Sequence, residues 1–518
     1  MTSQSSSHAS GSWAIAVLVA LIGPFMAILD SSIVNVAIPT IMRVFNTNTS
    51  TVEWVVTIYM LALGVVVPLS GWMGDRLGLK RLYILSLAVF TAGSLLCAFS
   101  WNIDSLIAAR VVQAVGGGMI MPTTMSMITR MVPRERFGSA MGIFGIALMV
   151  GPAIGPTLGG YLVEYVDWRW IFTINLPVGV LGILLGFLAL PDFPGGEAGR
   201  LDVAGAVTSG IGLFCLLLAL SKGNDWGWGS EAVVFLFYIS IICLGLFVYL
   251  ELTCDQPLLD LRVFRYPTFT LANIMVIITT ISLFTGVFYV PLFLQNIRNL
   301  GAMETGLLMM PAALVSGFMM PVTGRLYDRI GPKLMCLPGL LILAYTTYLF
   351  HRLDVNTPFR TIQFWLILRS LGMSLAMMPA QTAALAVIPL NLVGRASAIT
   401  NIINRVSGSF GIAVFTTILT NRQALHGARL AGQITAANPA VDLFFRQAEA
   451  YLGGGLVTGS QVKTLALAYL QGIVTQTSFV RALDDIFVLM ALLVLVGLLP
   501  SLFLEKGSGK SRPGISTE

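Results

Sequence analysis

Apolar runs of about 20 residues, nearly free of charge, recur from one end of this 518-residue chain to the other with short polar breaks between them. At roughly 1.5 Å per residue, a helix of that length crosses a hydrocarbon core of about 30 Å. The runs fall near 13–38, 53–73, 82–99, 105–127, 138–162, 169–190, 202–220, 231–250, 268–294, 306–322, 334–350, 361–387, 395–419 and 480–504, fourteen in all. In lipid only helices and closed barrels satisfy their own backbone, and barrel strands would alternate in polarity along each run, so the sequence predicts helices. Composition agrees, because charged residues make up only 10% of the chain and hydrophobic ones 56%. So few charges could not cover a soluble surface of this size. The scattered positive excess forms no basic patch of the kind that would bind nucleic acid.

The Lys and Arg residues set an orientation. With the N-terminus inside, sixteen lie on inner loops and the tail, and six, Lys222 among them, on the short outer loops and their edges. The positive-inside rule therefore puts both termini in the cytoplasm. The N-terminus lacks the basic start and small-residue cleavage site of a secretory signal, so the first run is expected to stay as a membrane helix. The five cysteines form no CxxC pair and the three histidines lie outside the apolar runs, which gives no disulfide framework and no metal site.

The chain repeats itself. Gly71-Trp72-Met73-Gly74-Asp75-Arg76-Leu77-Gly78-Leu79-Lys80 is echoed 253 residues later by Gly324-Arg325-Leu326-Tyr327-Asp328-Arg329-Ile330-Gly331-Pro332-Lys333, and Arg110 with Pro122 is echoed by Arg369 with Pro379 at nearly the same offset. Parallel repeats of this kind suggest a transporter with its site between the halves, and by themselves are also compatible with a channel or a membrane-embedded enzyme. The expected organisation is a tail 1–12, a six-helix half 13–200, an inserted hairpin and linker 201–265, a second half 266–504 that includes an outer loop 420–479, and a tail 505–518. The Gly507-Ser508-Gly509-Lys510-Ser511 stretch of that tail lacks the first glycine, the strand and the helix of a phosphate-binding loop.

Charges inside membrane spans are costly enough to suggest function. Asp30 lies roughly 7 Å outward of the middle of the first span, and Arg110 roughly 9 Å outward of the middle of the fourth, so a pair between them is geometrically possible. A carboxylate that loses such a partner in one conformation changes its proton affinity, as proton coupling requires. A permanently paired structural Asp30 and a fixed Arg110 clamp on backbone carbonyls are the bland readings. Glu53, beside Trp54, reads as an interfacial residue. Arg369 and Arg405 are read as having no carboxylate inside the second-half spans, which points to weakly acidic, zwitterionic or neutral amphipathic substrates over dications. Asn35, Asn175, Gln295 and Gln381 are polar candidates for a substrate cavity, with Phe172 and Tyr289 as aromatic walls.

Several stretches carry a family likeness. Gly71–Lys80 resembles the loop signature between the second and third helices of the major facilitator superfamily. Gly142, then Gly151, then Gly155-Pro156-Thr157-Leu158-Gly159-Gly160 resembles the antiporter signature of the same superfamily. Leu29-Asp30-Ser31-Ser32-Ile33-Val34-Asn35-Val36-Ala37-Ile38-Pro39 is similar to the first-helix signature of the fourteen-helix drug:proton antiporter family. Trp168–Pro177 and Pro291–Gln295 look like two further stretches of it. The resemblance implies an all-α integral membrane fold, with two six-helix bundles plus a two-helix central insertion. It implies proton-coupled export of amphipathic small molecules, including drugs, across a bacterial cytoplasmic membrane, with no cofactor beyond the proton gradient. Proton coupling is implied at Asp30 and Arg110. Gating roles are expected at Gly71, Asp75, Arg76 and Gly78, at Asp328 and Arg329, and at Gly151, Gly155, Pro156 and Gly159. A dedicated metabolite exporter is the nearer alternative. An enzyme is disfavoured, because no HExxH or GxSxG appears. A periplasmic adaptor and an outer-membrane channel are conceivable partners, with 420–479 as the place for them.

Overall fold

The computed structural model describes residues 6–193, 195–196, 201–254, 257–434, 439–452 and 459–504. The tail 505–518, with its Gly507–Ser511 stretch, lies outside them, as does Arg200. Fourteen helices among the described residues are long and apolar enough to cross a membrane. The first half holds α1 (Ser6–Val44), α2 (Trp54–Val66), its continuation α3 (Leu69–Leu77), α4 (Leu79–Ala98), α5 (Ile103–Met131), α6 (Phe137–Tyr165) and α7 (Asn175–Ala189). The inserted hairpin is α8 (Val203–Trp226) and α9 (Glu231–Thr253). The second half holds α10 (Pro267–Asn296), α11 (Ala302–Ile330), α12 (Pro332–Leu349), α13 (Phe359–Ala386), α14 (Val393–Ala431), α15 (Pro439–Leu452) and α16 (Gly459–Val496).

The sequence repeat is also a backbone repeat. Gly78 ends α3 at φ 83°, and Gly331, 253 residues on, ends α11 at φ 80°. Both sit in the left-handed region that glycine reaches without steric cost, so both turns reverse direction within one residue. Both belong to one face of the molecule, here called basal, where Trp13, Arg136 and Arg325 also lie together.

The two halves meet on that basal side. Along α6, a Cβ on Gly138 would lie 2.5 Å from the Gly324 carbonyl, and one on Gly142 would lie 2.5 Å from that of Met320. Small residues at this spacing let α6 and α11 approach backbone to backbone. Past Val150 the same helix turns its glycines to α1: Gly151 meets Ile28, Gly155 meets Ser32 and Gly159 meets Ile33. Of the antiporter-like glycines, Gly151, Gly155 and Gly159 thus fasten α6 within the first half, while Gly142, with Gly138 before it, fastens it across the halves. Elsewhere on the basal side, Ser397 Oγ donates to the Pro122 carbonyl at 3.2 Å and Asn401 Nδ2 approaches Met125 Sδ at 3.4 Å.

Two expectations change here. Most of 420–479 is not loop: α14 runs on to Ala431 and α16 begins at Gly459, with the amphipathic α15 packed on α16. Residues 435–438 and 453–458 of that segment lie outside the described ones. Lys222, read from the sequence as a loop residue, lies inside α8 and is buried. Both revisions have one cause, that a helix does not stop where its apolar run stops. Polar residues continue it wherever a neighbouring helix gives them partners.

Candidate functional site

The most polar point in the first half is a closed set of side chains around Asp30. α1 carries Asp30 into the bundle, and α5 presents Arg110 two turns after its Asn102 cap. Arg110 Nη1 donates to Asp30 Oδ2 at 2.7 Å and to Gln113 Oε1 at 2.6 Å, while its Nε donates to the Val55 carbonyl at 3.0 Å. Gln113 Nε2 returns a bond to Asp30 Oδ1 at 2.8 Å and another to Ser94 Oγ at 2.7 Å. Asn175 Nδ2 completes the carboxylate's shell at 2.9 Å. Asp30 is wholly inaccessible to solvent and Arg110 is 1% exposed.

The local sequence explains why Asn175 arrives there. A short helix, Trp170–Thr173, ends just before α7 starts at Asn175, and Pro177 falls in the first turn, where a missing N–H costs nothing. The Tyr59 ring of α2 covers the Arg110 guanidinium, 3.9 Å from its centroid, and Phe172 lies 5.8 Å away on another side. A buried ion pair is stable only when other groups also bond its donors and lone pairs, and here both carboxylate oxygens and the Nε and Nη1 of the guanidinium are bonded. A carboxylate supported by three separate helices, α5, α7 and α1 itself, is sensitive to any shift among them.

Of the other sequence candidates, Tyr289 is buried and its hydroxyl lies 2.9 Å from Thr416 Oγ1. Gln381 is buried within α13. Gln295 is exposed at the far end of α10 and joins neither group. Asn35 points away from Asp30, into a cleft of about 350 Å³ lined also by Glu53, Lys222 and Asp225. Glu53 is therefore more than interfacial: Lys222 Nζ contacts it at 2.5 Å and Asp225 at 3.1 Å.

Arg369 Nη2 donates to the carbonyl and the hydroxyl of Ser282 on α10. Arg405 is partly exposed on α14 and has no hydrogen-bonded acid among the described residues. The second half does contain carboxylates within a span, contrary to the sequence reading, since α16 carries Asp484 and Asp485. Asp485 is engaged by His426 at 2.9 Å and lies 3.7 Å from Arg422, both beyond the middle of α14, so it serves neither Arg369 nor Arg405.

On the basal side the repeated acids behave differently. Asp328 crosses to the first half and caps α6, accepting from Gly138 N at 2.8 Å, Ser139 N at 2.9 Å and Ser139 Oγ at 2.7 Å. An acid at a helix N-terminus satisfies otherwise unpaired N–H groups and complements the helix dipole. Asp75 instead lies 3.6 Å from Arg130, while Gly71 leaves room for Arg395 of α14. Burial pushes the Asp75 carboxyl above the usual carboxylate range, against the pull of Arg395 and Arg130. Arg76 stacks over Trp72. Sequence reasoning missed Tyr59 and Ser94, and it missed Gln113 as a ligand of Asp30. Of these, only Gln113 carried a signal, since it stands one helical turn after Arg110 on the same face.

The model of the Major Facilitator Superfamily matches residues 20–412. The lincomycin resistance protein LmrB of Listeria monocytogenes is 34% identical over 78% of this chain and 86% of its own length. The multidrug export protein EmrB of Haemophilus influenzae is 29% identical over 93% of this chain and 94% of its own. The proton:xylose symporter XylE shares the fold with a TM-score of 0.60 at 12% identity, covering 97% of this chain and 98% of that one. Two six-helix halves related by repeated basal turns, fourteen spans and a family match across most of the length lead to one assignment: this chain is a multi-pass membrane transporter that belongs to the Major Facilitator Superfamily.

Proposed function

We propose that this transporter exports amphipathic small molecules, drugs among them, in exchange for protons. The observation that carries the reading is the Asp30 carboxylate, wholly buried and held by partners on different helices. The names of its relatives, one for lincomycin resistance and one for multidrug export, support the substrate class. Proton exchange is supported by the chemistry: relative motion of α1, α5 and α7 would remove donors from Asp30 and let it take up a proton. The basal contacts between the halves suit a state open toward the opposite face, and the return step would part Asp328 from α6. Basic loop residues favour a basal face in the cytoplasm of a bacterial cell, with both termini there and no cofactor involved. In a host with two membranes, the extended ends of α14 and α16 would offer a place for a periplasmic adaptor leading to an outer-membrane channel.

The test uses inside-out vesicles energised to an acidic lumen, with a fluorescent pH probe. Addition of a panel of cationic, neutral and weakly acidic compounds should release protons from wild-type vesicles and not from Asp30→Asn vesicles of equal expression. Equal release from both would remove Asp30 from the coupling step. Release with a single chemotype would replace the multidrug reading by a dedicated exporter.

A further inference from the structure

The internal repeat makes the two halves comparable side chain by side chain, and one difference between them concerns an arginine. Arg110 of α5 and Arg369 of α13 are repeat counterparts, as are α1 and α10. Arg110 meets a carboxylate on α1. At the corresponding place on α10, Arg369 meets Ser282, through a carbonyl and a hydroxyl, and lies against Gly286. A Cβ on Gly286 would collide with the guanidinium, so glycine is what gives the arginine its room. No acid answers this arginine among the described residues, and its Nε has no hydrogen-bond partner although the side chain is 7% exposed.

A second guanidinium adds to that imbalance. Asn404 of α14 accepts from Thr280 of α10 at 2.7 Å, and Thr280 lies two residues before the Ser282 that holds Arg369. Arg405, next to Asn404, is thereby carried to the same turn of α10. It is partly exposed, its Nε has no partner, and it is close enough to Tyr59 of the first half for the two to interact electrostatically. Arg405 therefore stands between the halves, near the Tyr59 that covers the Arg110 guanidinium. Asp485 of α16 is too far along α14 to neutralise it, because it pairs at Arg422 and His426, and the cation that acts on Asp484 is Arg481 of its own helix. Two guanidinium groups without a counter-charge, deep in a membrane protein, are a strong field for an anion.

We propose that the second half contains an anion-recognition site, with Arg405 as the contact residue and Arg369 supporting it, that takes the carboxylate, sulfonate or phosphate end of an amphipathic molecule. This rests on the export reading for its biological use, but binding is measured without any gradient and stands or falls separately. The site gives one half of the transporter a proton-binding carboxylate and the other half an affinity for negative charge. A bound anion would sit near the Tyr59 that covers the Arg110 of the coupling pair.

The experiment is a fluorescence titration of the full chain in nanodiscs of zwitterionic lipid. The probes are N-dansyl-11-aminoundecanoate and its methylamide, which differ only in the charged end. The carboxylate should bind wild type at least about tenfold more tightly than the amide, a difference of about 1.4 kcal/mol. Arg405→Gln should erase that preference while leaving the amide's affinity unchanged, which also shows that the variant is folded. Arg405→Lys should retain part of it, and Arg369→Gln should reduce it less. Equal affinity of wild type for the two probes would overturn the proposal, as would parallel loss of both in Arg405→Gln. Repeating the titration in discs containing phosphatidylglycerol identifies the source of the anion. Loss of the carboxylate's advantage there, restored by returning to zwitterionic lipid, assigns the site to a lipid headgroup; an undiminished advantage assigns it to a soluble amphipathic anion. Gradient-driven proton release with neutral compounds reports on the export reading alone.

Discussion

Asn175 contributes one amide group, yet that group bonds Asp30 at 2.9 Å and approaches Ser94 at 3.3 Å in a place closed to bulk solvent. Removing a partner from a buried polar group costs more than the bond's net contribution, because the other partner keeps its desolvation penalty. Asn175→Ala should therefore cost about 1–3 kcal/mol, and Arg110→Ala about 3–5 kcal/mol, since it leaves a buried carboxylate unpaired. Asn35→Ala and Gln295→Ala should stay within about 0.5 kcal/mol, because both side chains are exposed. Thermal unfolding of the four purified variants in one detergent orders them. A common shift for all four would show that the Asp30 shell has no special energetic role. Sequence alone ranked Asn35, Asn175 and Gln295 as equals, because polarity in an apolar run is visible but the direction of a side chain is not.

The inserted hairpin shows what an element can do beyond its composition. α8 packs on α2 of the first half, where Leu217 fills the space over Gly64 and Lys222 pairs with Glu53. Its far end reaches the second half: Asn224 Nδ2 donates to the Ala413 carbonyl at 3.3 Å, and Trp228 Nε1 donates to Thr417 Oγ1 at 2.8 Å. The hairpin is thus a strut between the halves on the side opposite the basal contacts. Rocking of the halves must break or slide one end of it. Trp228→Phe combined with Thr417→Val removes the Trp228–Thr417 bond and the one Thr417 donates to Asn224, leaving Asn224 Nδ2 on the Ala413 carbonyl. A bond of about 1 kcal/mol held only in one state corresponds to a roughly fivefold change in the exchange rate. Single-molecule distance measurements across the opposite face should show that acceleration, with substrate affinity in the closed-basal state unchanged. An unaltered rate would reduce the hairpin to a passenger. The sequence marked this pair as an insertion by counting spans, but not as a strut, because Lys222 and Asn224 look like loop residues until α14 is placed beside them.

At the scale of the whole molecule, the halves are held by basal contacts drawn from both: α6 with α11, α5 with α14, and Asp328 capping α6. If transport proceeds by rocking, these contacts must open once in every cycle. Met125→Cys with Asn401→Cys places one thiol on α5 and one on α14 at positions whose parent side chains touch, in a background from which the five native cysteines have been removed. Oxidation should abolish exchange, and reduction should restore it. Full activity of the cross-linked protein, with the bond verified by mass spectrometry, would show that the basal side does not part during transport.

The sequence by itself determined the solvent of this fold and its plan. Apolar run length demands helices in a bilayer, and the count of runs, the 253-residue repeat and the spaced glycines of α6 state the two halves and their insertion. These properties are local or periodic along the chain, so they can be read in one dimension. Only the tertiary structure decided which polar groups meet. It joined Asp30 to Gln113 and Asn175, seated Arg369 on Ser282 without an acid, brought Arg405 opposite Tyr59 and turned a presumed outer loop into the ends of α14 and α16. Each of these depends on the rotation of one helix against another. In an apolar medium that rotation is set by packing and hydrogen bonding among many side chains at once, and by no run of residues in the chain.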